Sequence, residues 1–226
     1  MIKNKLREII YKRYNISFSK SGDDLQLKKL INSNIPGTYV DIGCWDPIKA
    51  SNTYYFYLRG WKGICIDPNP YLVQKYRLTR PNDLFYNCAI GYSEEEQLKY
   101  YLMNDTYSSM NTLDYDFIKE RQLENQVKEV IDVPIYSLEY LLEKSLKKGE
   151  RLDFFDVDVE GQDLKVLKTN NWDKFRPKFI LVETKDSFYK CIDSEEVNYL
   201  TSKGYRLIGK TIIQGDLGNL YFIDEN

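Results

Sequence analysis

The chain contains no histidine among its 226 residues. Histidine is the side chain whose unperturbed pKa lies between pH 5 and 8. Any proton removed near neutral pH must therefore pass to a group with a displaced pKa, or leave an acceptor activated by a metal. Cysteine is sparse as well. Cys44, Cys65, Cys88 and Cys191 are widely spaced and form no C-x-x-C pair, which argues against a zinc site and for a reduced, cytoplasmic protein. Charge of one sign is not in excess: the net charge is −2, whereas a phosphate-reading surface shows clustered Lys and Arg. The expected partner is thus a small molecule and no nucleic acid. Neither the roughly 20 consecutive apolar residues that cross a bilayer nor the apolar core of a signal peptide is present. No stable membrane insertion is expected.

What is abundant is tyrosine, with 20 residues. A phenol usually needs a partner when buried, so these rings suit helix–sheet contacts and a cleft for a flat or sugar-like ligand. No repeat, low-complexity tract or Pro/Gly/Ser linker divides the sequence, and one domain is expected over residues 1–226: a helical N-terminal segment, 1–35, and a core, 36–226. The basic stretch Lys3 to Arg13 is interleaved with Ile and Tyr and forms part of an amphipathic helical patch, Ile2–Tyr14. A second helix spans Asp23–Asn32, with Ser21 to Asp24 supplying its cap.

The period then changes. Short β-branched or apolar runs (Thr38–Gly43, Gly63–Asp67, Asp83–Ile90) alternate with helical patterns over Asn52–Leu58 and Asn69–Leu78, which is the pattern of βαβ units and a parallel sheet. The middle is less regular, with strand candidates at Gln97–Met103 and Ile131–Tyr136 and a polar stretch at Thr106–Asn111. The alternation returns with Leu152–Val159, Asp163–Lys168 and Lys178–Glu183. Tyr205–Ile213 and Leu220–Asp224 can close an antiparallel hairpin. The fold class is α/β, Rossmann-like: about seven strands in a mostly parallel sheet, helices on both faces and an antiparallel C-terminal hairpin.

In such sheets ligands bind beyond the carboxyl ends of the strands. Carboxylates finish four of the five candidate parallel strands, at Asp41, Asp67, Asp158 with Glu160, and Glu183. Burial alone does not favour a terminal acid, so their coincidence asks for a ligand. The first turn, Asp41-Ile42-Gly43-Cys44-Trp45-Asp46-Pro47, lacks the G-x-G-x-x-G that seats a pyrophosphate, and its acids would repel one. They suit a ligand carrying an ammonium or sulfonium group. Asp67 suits the two hydroxyls of a ribose. A nicotinamide oxidoreductase fits this turn poorly, and a non-catalytic partner-binding module leaves the acids unexplained.

Several stretches together resemble the FkbM family of methyltransferases. They are SKSGDDLQL (Ser19–Leu27), YVDIG (Tyr39–Gly43), SNTYYFYLRGWKGICIDPNP (Ser51–Pro70), NCAIG (Asn87–Gly91), Ser108-Ser109, DFFDVDVEG (Asp153–Gly161) and RPKFILVET (Arg176–Thr184). The resemblance implies a Rossmann-like methyltransferase fold using S-adenosylmethionine. It implies that Asp41 and Gly43 shape the turn around the methionine moiety, Asp67 holds the ribose, Cys88 and Ala89 border the adenine, and Asp158 lies near the transferred methyl. Ser51 and Asn52 open the first helix, where they can meet the methionine carboxylate. Asp24 either faces the cofactor or serves as a helix N-terminal charge. Asp156 stands where relatives often carry Lys or Ser, and its expected use is either ligand chemistry or, preferred slightly, a salt bridge to a neighbouring helix.

For a hydroxyl acceptor, two routes dispose of the proton without histidine. A carboxylate such as Asp158 or Glu183, with Lys185, can take it. Alternatively, Mg²⁺ or Mn²⁺ held by Asp158, Glu183 and Asp186 can lower the acceptor's pKa. The resembled family methylates oxygen on varied metabolites, often sugars of surface polysaccharides such as capsules. A sugar or sugar nucleotide is therefore the expected acceptor, with other small-molecule or lipid-linked acceptors as the alternative.

Overall fold

The computed structural model describes residues 10–226 apart from 12, 32–34, 93–95 and 148. Most of the helical patch expected over Ile2–Tyr14 lies outside the described residues. In chain order the described elements are α1 (Asp23–Leu30), β1 (Thr38–Ile42), α2 (Tyr54–Tyr57), β2 (Lys62–Ile66), α3 (Leu72–Thr79), β3 (Leu84–Tyr86), β4 (Ala89–Ile90), β5 (Gln97–Met103) and α4 (Tyr115–Glu120). They continue with β6 (Val127–Tyr136), α5 (Leu138–Ser145), β7 (Phe154–Val157), α6 (Asp163–Lys168), β8 (Phe179–Thr184), α7 (Phe188–Cys191), α8 (Glu195–Ser202), β9 (Tyr205–Lys210) and β10 (Gly218–Asp224).

Seven strands form one sheet in the order β3-β2-β1-β7-β8-β10-β9. β1 pairs in parallel with β2 through Val40↔Ile64 and with β7 through Val40↔Phe155, so the chain winds outward in both directions from β1. That is the switch point at which a crevice opens. The central strands are buried from end to end (β1 shows no exposed residue), as expected where helices cover both faces. Val40, Ile42, Val157 and Val182 meet α5, α6 and α8 through Leu142, Val166 and Leu200. On the other face Tyr39, Phe154 and Leu181 meet α1, α2 and α3 through Leu27, Phe56 and Tyr76. β10 inserts antiparallel between β8 and β9, which makes the expected hairpin part of the main sheet.

The expected single strand Asp83–Ile90 is two. After β3 the Asn87 side-chain amide donates to the Asp67 carbonyl at 3.0 Å, and Ala89 and Ile90 leave the main sheet to pair with β6 in a second sheet of order β4-β6-β5. Side-chain bonding at Asn87 breaks the ladder, a competition that hydrophobic pattern does not register. The cap of α1 also differs: its N-cap is Gly22 with φ 81° and no side-chain hydrogen bond. Ser137, by contrast, caps α5 through the Tyr140 amide, as its position predicts.

Candidate active site

A cleft lies over the carboxyl ends of β1, β2 and β7, bordered by Asp41, Gly43, Ser51, Asn52, Asp67, Cys88, Ala89, Asp156 and Asp158. Every expected donor-site residue except Asp24 therefore borders one space. Asp24 instead accepts from the Ser17 hydroxyl at 2.7 Å, the Phe18 amide at 2.7 Å and its neighbour Leu25's amide at 2.8 Å. It folds the N-terminal segment onto α1 and does not border the cleft.

The turn after β1 is built for close approach. Gly43 has φ 80°, and a Cβ there would collide with the Asp158 carbonyl and the Val159 side chain. Only glycine lets the ends of β1 and β7 lie this close. Trp45 follows with φ 40°, a left-handed conformation that is costly for a bulky residue and that clusters at ligand sites. Its amide donates to Asp67 Oδ2 at 3.0 Å while the Asn69 amide donates to Oδ1 at 2.8 Å. Asp67 is thereby fixed, with a lone pair left on each oxygen for further donors. Asp46 turns away, accepting from the amides of Ile48 and Lys49 and from Lys75 at 2.6 Å. Of the two acids in this turn, only Asp41 faces the cleft.

The acids form two rows. Asp41 and Asp156 are register partners on β1 and β7. One step beyond the pair Val157↔Val182, Asp158 meets Glu183, and Glu160 joins them, with one oxygen of each acid within 4.8 Å of the others. Asp186, expected from sequence beside Asp158 and Glu183, is not part of this group of described residues; Glu160 is. Glu160 reaches them because the chain turns sharply after β7, with φ 53° at Glu160 and 90° at Gly161.

Electrostatics follow from burial. Loss of water raises the Asp41 carboxyl to about 6 against the pull of a nearby guanidinium, that of Arg80, and a hydrogen bond from Thr53. Burial likewise raises Asp67 to about 6, although two amides oppose the shift. Burial and then the repulsion of Asp41 push Asp156 well up. Its partner is the Asn52 amide at 3.1 Å, and among the described residues no ion pair to a helix is formed. Asp158 is pushed well up by burial and then by Glu183. Glu183 rises to about 7 through burial and then Glu160, moderated by Lys185. Burial lowers the Lys185 ammonium, but its bond to Glu160 at 2.8 Å outweighs this and leaves it above its ordinary value. Lys185 thus stays protonated at neutral pH and is no proton acceptor. A dense set of displaced carboxyls in one cleft marks a functional site, and their sign suits a cation.

Beyond these, Asn69 and the polar stretch noted over Thr106–Asn111 also contribute. Asn69 ties the cleft to the chain beyond β5 by donating from its side chain to the Thr106 carbonyl at 2.7 Å. The segment that follows brings Ser108, Asn111 and Thr112 to the cleft wall, beside Tyr100. The D-P-N-P stretch was the available signal for Asn69; for Trp45 there was none.

Residues 41–207 match the model of the methyltransferase FkbM domain. No curated protein matches by sequence. Among solved structures, similarity extends to a proposed RNA methyltransferase of Pyrococcus horikoshii at TM-score 0.43 and 9% identity, covering 90% of this chain and 85% of that one. It extends also to a precorrin-6y C5,15-methyltransferase of Geobacter metallireducens at TM-score 0.42 and 10% identity, covering 91% and 88%. With the family match spanning the strand ends and the acids described above, the chain belongs to the FkbM family of methyltransferases, enzymes that use S-adenosylmethionine.

Proposed function

We propose that this methyltransferase transfers its methyl group to oxygen, on the hydroxyl of a sugar or sugar nucleotide destined for a surface polysaccharide. The observation that carries the reading is Glu183, a buried carboxyl raised to about 7 beside the cleft residues Asp158 and Glu160, in a chain without histidine. A base works best with a pKa near the working pH, and a hydroxyl, unlike a neutral amine, needs its proton taken as it is alkylated.

The residues fit the donor. Bound S-adenosylmethionine supplies an electrophilic methyl group on a sulfonium centre. Asp41 offers negative charge to its cationic end with the Asp156 carboxyl beside it, Asp67 offers lone pairs to its ribose, and Cys88 and Ala89 form an apolar edge for its adenine. Gly43 admits it close to the backbone. Glu183 accepts the acceptor's proton, and Lys185, bonded to Glu160, keeps this base from rising further. The polar wall of Ser108, Asn111 and Thr112, with Tyr100, offers hydrogen bonds of the kind a sugar uses.

The decisive experiment is methyl transfer from labelled donor across a panel of sugar nucleotides, free sugars, lipid-linked sugars and proteins. Transfer to a sugar hydroxyl is expected; transfer confined to protein or nitrogen acceptors overturns the reading. The closeness of Asp158, Glu160 and Glu183 favours a second reading, in which Mg²⁺ or Mn²⁺ on these oxygens activates the acceptor. Undiminished transfer after exhaustive chelation ends that alternative.

A further inference from the structure

Beneath the cleft, outside the residues that border it, lies Arg80. It follows the last turn of α3, and it is the only Lys or Arg among the buried polar residues described, with its side chain fully enclosed. Burying a guanidinium is costly unless its donors are satisfied and its charge is answered. Here they are satisfied by one short stretch of chain. Nε donates to the Pro47 carbonyl at 2.7 Å, Nη1 to the Thr53 hydroxyl at 2.9 Å and Nη2 to the Ser51 hydroxyl at 2.6 Å. Asp83 lies 3.6 Å from Nη1, and the rings of Tyr54, Tyr76 and Tyr57 surround the guanidinium carbon at 5.2, 5.5 and 5.8 Å.

The contacts have a direction. Arg80 has no acceptor, so the Thr53 oxygen must receive from it, and the single Thr53 proton goes to Asp41 Oδ2. Ser51 likewise accepts from Arg80 and from the amides of Thr53 and Tyr54. The segment between β1 and α2 thus has its hydroxyls oriented by one buried cation, and the same segment presents Ser51 and Asn52 to the cleft.

We infer that Arg80 is a positioning residue for the methyl donor: it clamps residues 47–53 against the sheet and, through Thr53, holds the Asp41 carboxylate ready for a cationic ligand. This rests on the reading of the cleft as the donor site. Asp41 also faces Asp156 on β7, Asp67 and Cys65 at and beyond β2, Cys44 on its own turn, Asp83 before β3, and Tyr76. All of these are acidic or neutral groups; Lys20 shares the border of the cleft, and Arg80 is the cation whose charge favours ionised Asp41. A neighbouring opposite charge commonly lowers a carboxyl pKa by about 1–3 units. Its loss must therefore raise the pH at which Asp41 ionises.

The test is calorimetric titration of the intact protein with S-adenosylmethionine across the range from acid to mildly alkaline pH, without acceptor. Arg80→Met should weaken binding about tenfold and move the pH midpoint of binding upward by about one unit. Arg80→Lys keeps the charge but loses the fork, so it should weaken binding with a smaller midpoint shift. Thr53→Val leaves the guanidinium in place and removes the relay, and it should reproduce the upward shift even if Arg80→Met does not fold. In an Asp41→Asn background the effect of Arg80→Lys should shrink, because the two act as a unit. An unmoved midpoint in Thr53→Val, or losses that add in full with Asp41→Asn, would mean that Arg80 only packs the fold, and the inference is overturned. Absence of binding by the unaltered protein overturns the donor reading itself, a different result from binding that the variants leave unchanged.

Discussion

At the residue scale, the proposed chemistry turns on carboxyls whose pKa values burial has displaced. Glu183 is the sharpest case, because its pKa of about 7 places it where a base for a hydroxyl proton is useful. Replacing Glu183 with Gln keeps the shape and removes the base, so kcat should fall by about 10²–10⁴-fold, with donor affinity changed little. The acidic limb of the pH–rate profile near 7 should vanish with it; a variant that keeps this limb places the base elsewhere. Gly43 is the other residue with a narrow tolerance. A methyl group there meets the Asp158 carbonyl on a backbone already at φ 80°. Gly43→Ala should lower stability by about 2 kcal/mol or more, read by denaturant unfolding, and should weaken donor binding. Both residues were legible in sequence, Glu183 as an acid at a strand end and Gly43 as the lone glycine of its turn. Arg80 was not. Nothing in its local pattern separates it from an ordinary helix-terminal arginine, and only the fold encloses it.

At the scale of elements, local chemistry set the boundaries that matter least to function. Ser194 caps α8 by accepting from the Val197 amide at 3.3 Å, far in sequence from the cleft residues. Ser194→Ala should cost about 1 kcal/mol in thermal or denaturant unfolding while leaving donor affinity intact. A loss of affinity would show that α8 communicates with the cleft. The elements that build the site were harder to read, because side-chain bonds override periodicity there. Asn87 ends β3 early, and α2 begins only at Tyr54, after Ser51 and Thr53 have been drawn to Arg80. Even so, the buried run of β1 and the acid after β2 announced a parallel sheet with a ligand at its edge.

At the scale of the whole molecule, the crowded acids make ligand-free stability depend on pH in a definite direction. Asp41, Asp67 and Asp163 are each raised to about 6, above their values in the unfolded chain. Between about pH 4 and 6 the folded state therefore holds more protons than the unfolded one, and stability declines as pH rises through that window. Asp46 and Asp224, which are lowered, act in the opposite sense at more acidic pH. A cationic donor favours the ionised acids, so its binding should release protons and tighten as pH rises through about 6. Melting curves at about pH 5 and pH 7.5, with and without S-adenosylmethionine, check both statements. A donor-induced rise in Tm that is larger at the lower pH would contradict them.

Sequence alone determined the alternation of strands and helices, the acids at the strand ends and the choice of a sulfonium donor over a pyrophosphate cofactor. Each depends on residue type and short spacing, which the chain carries locally. Tertiary structure decided which acids meet. Glu160 lies beside Asp158 and Glu183, and Asp186 does not, because the turn after β7 folds Glu160 back toward Glu183. Asp24 was drawn off to secure its own segment, and Arg80 became the cation behind Asp41. Those outcomes depend on desolvation and on contacts between residues distant in sequence, quantities that exist only once the sheet has formed.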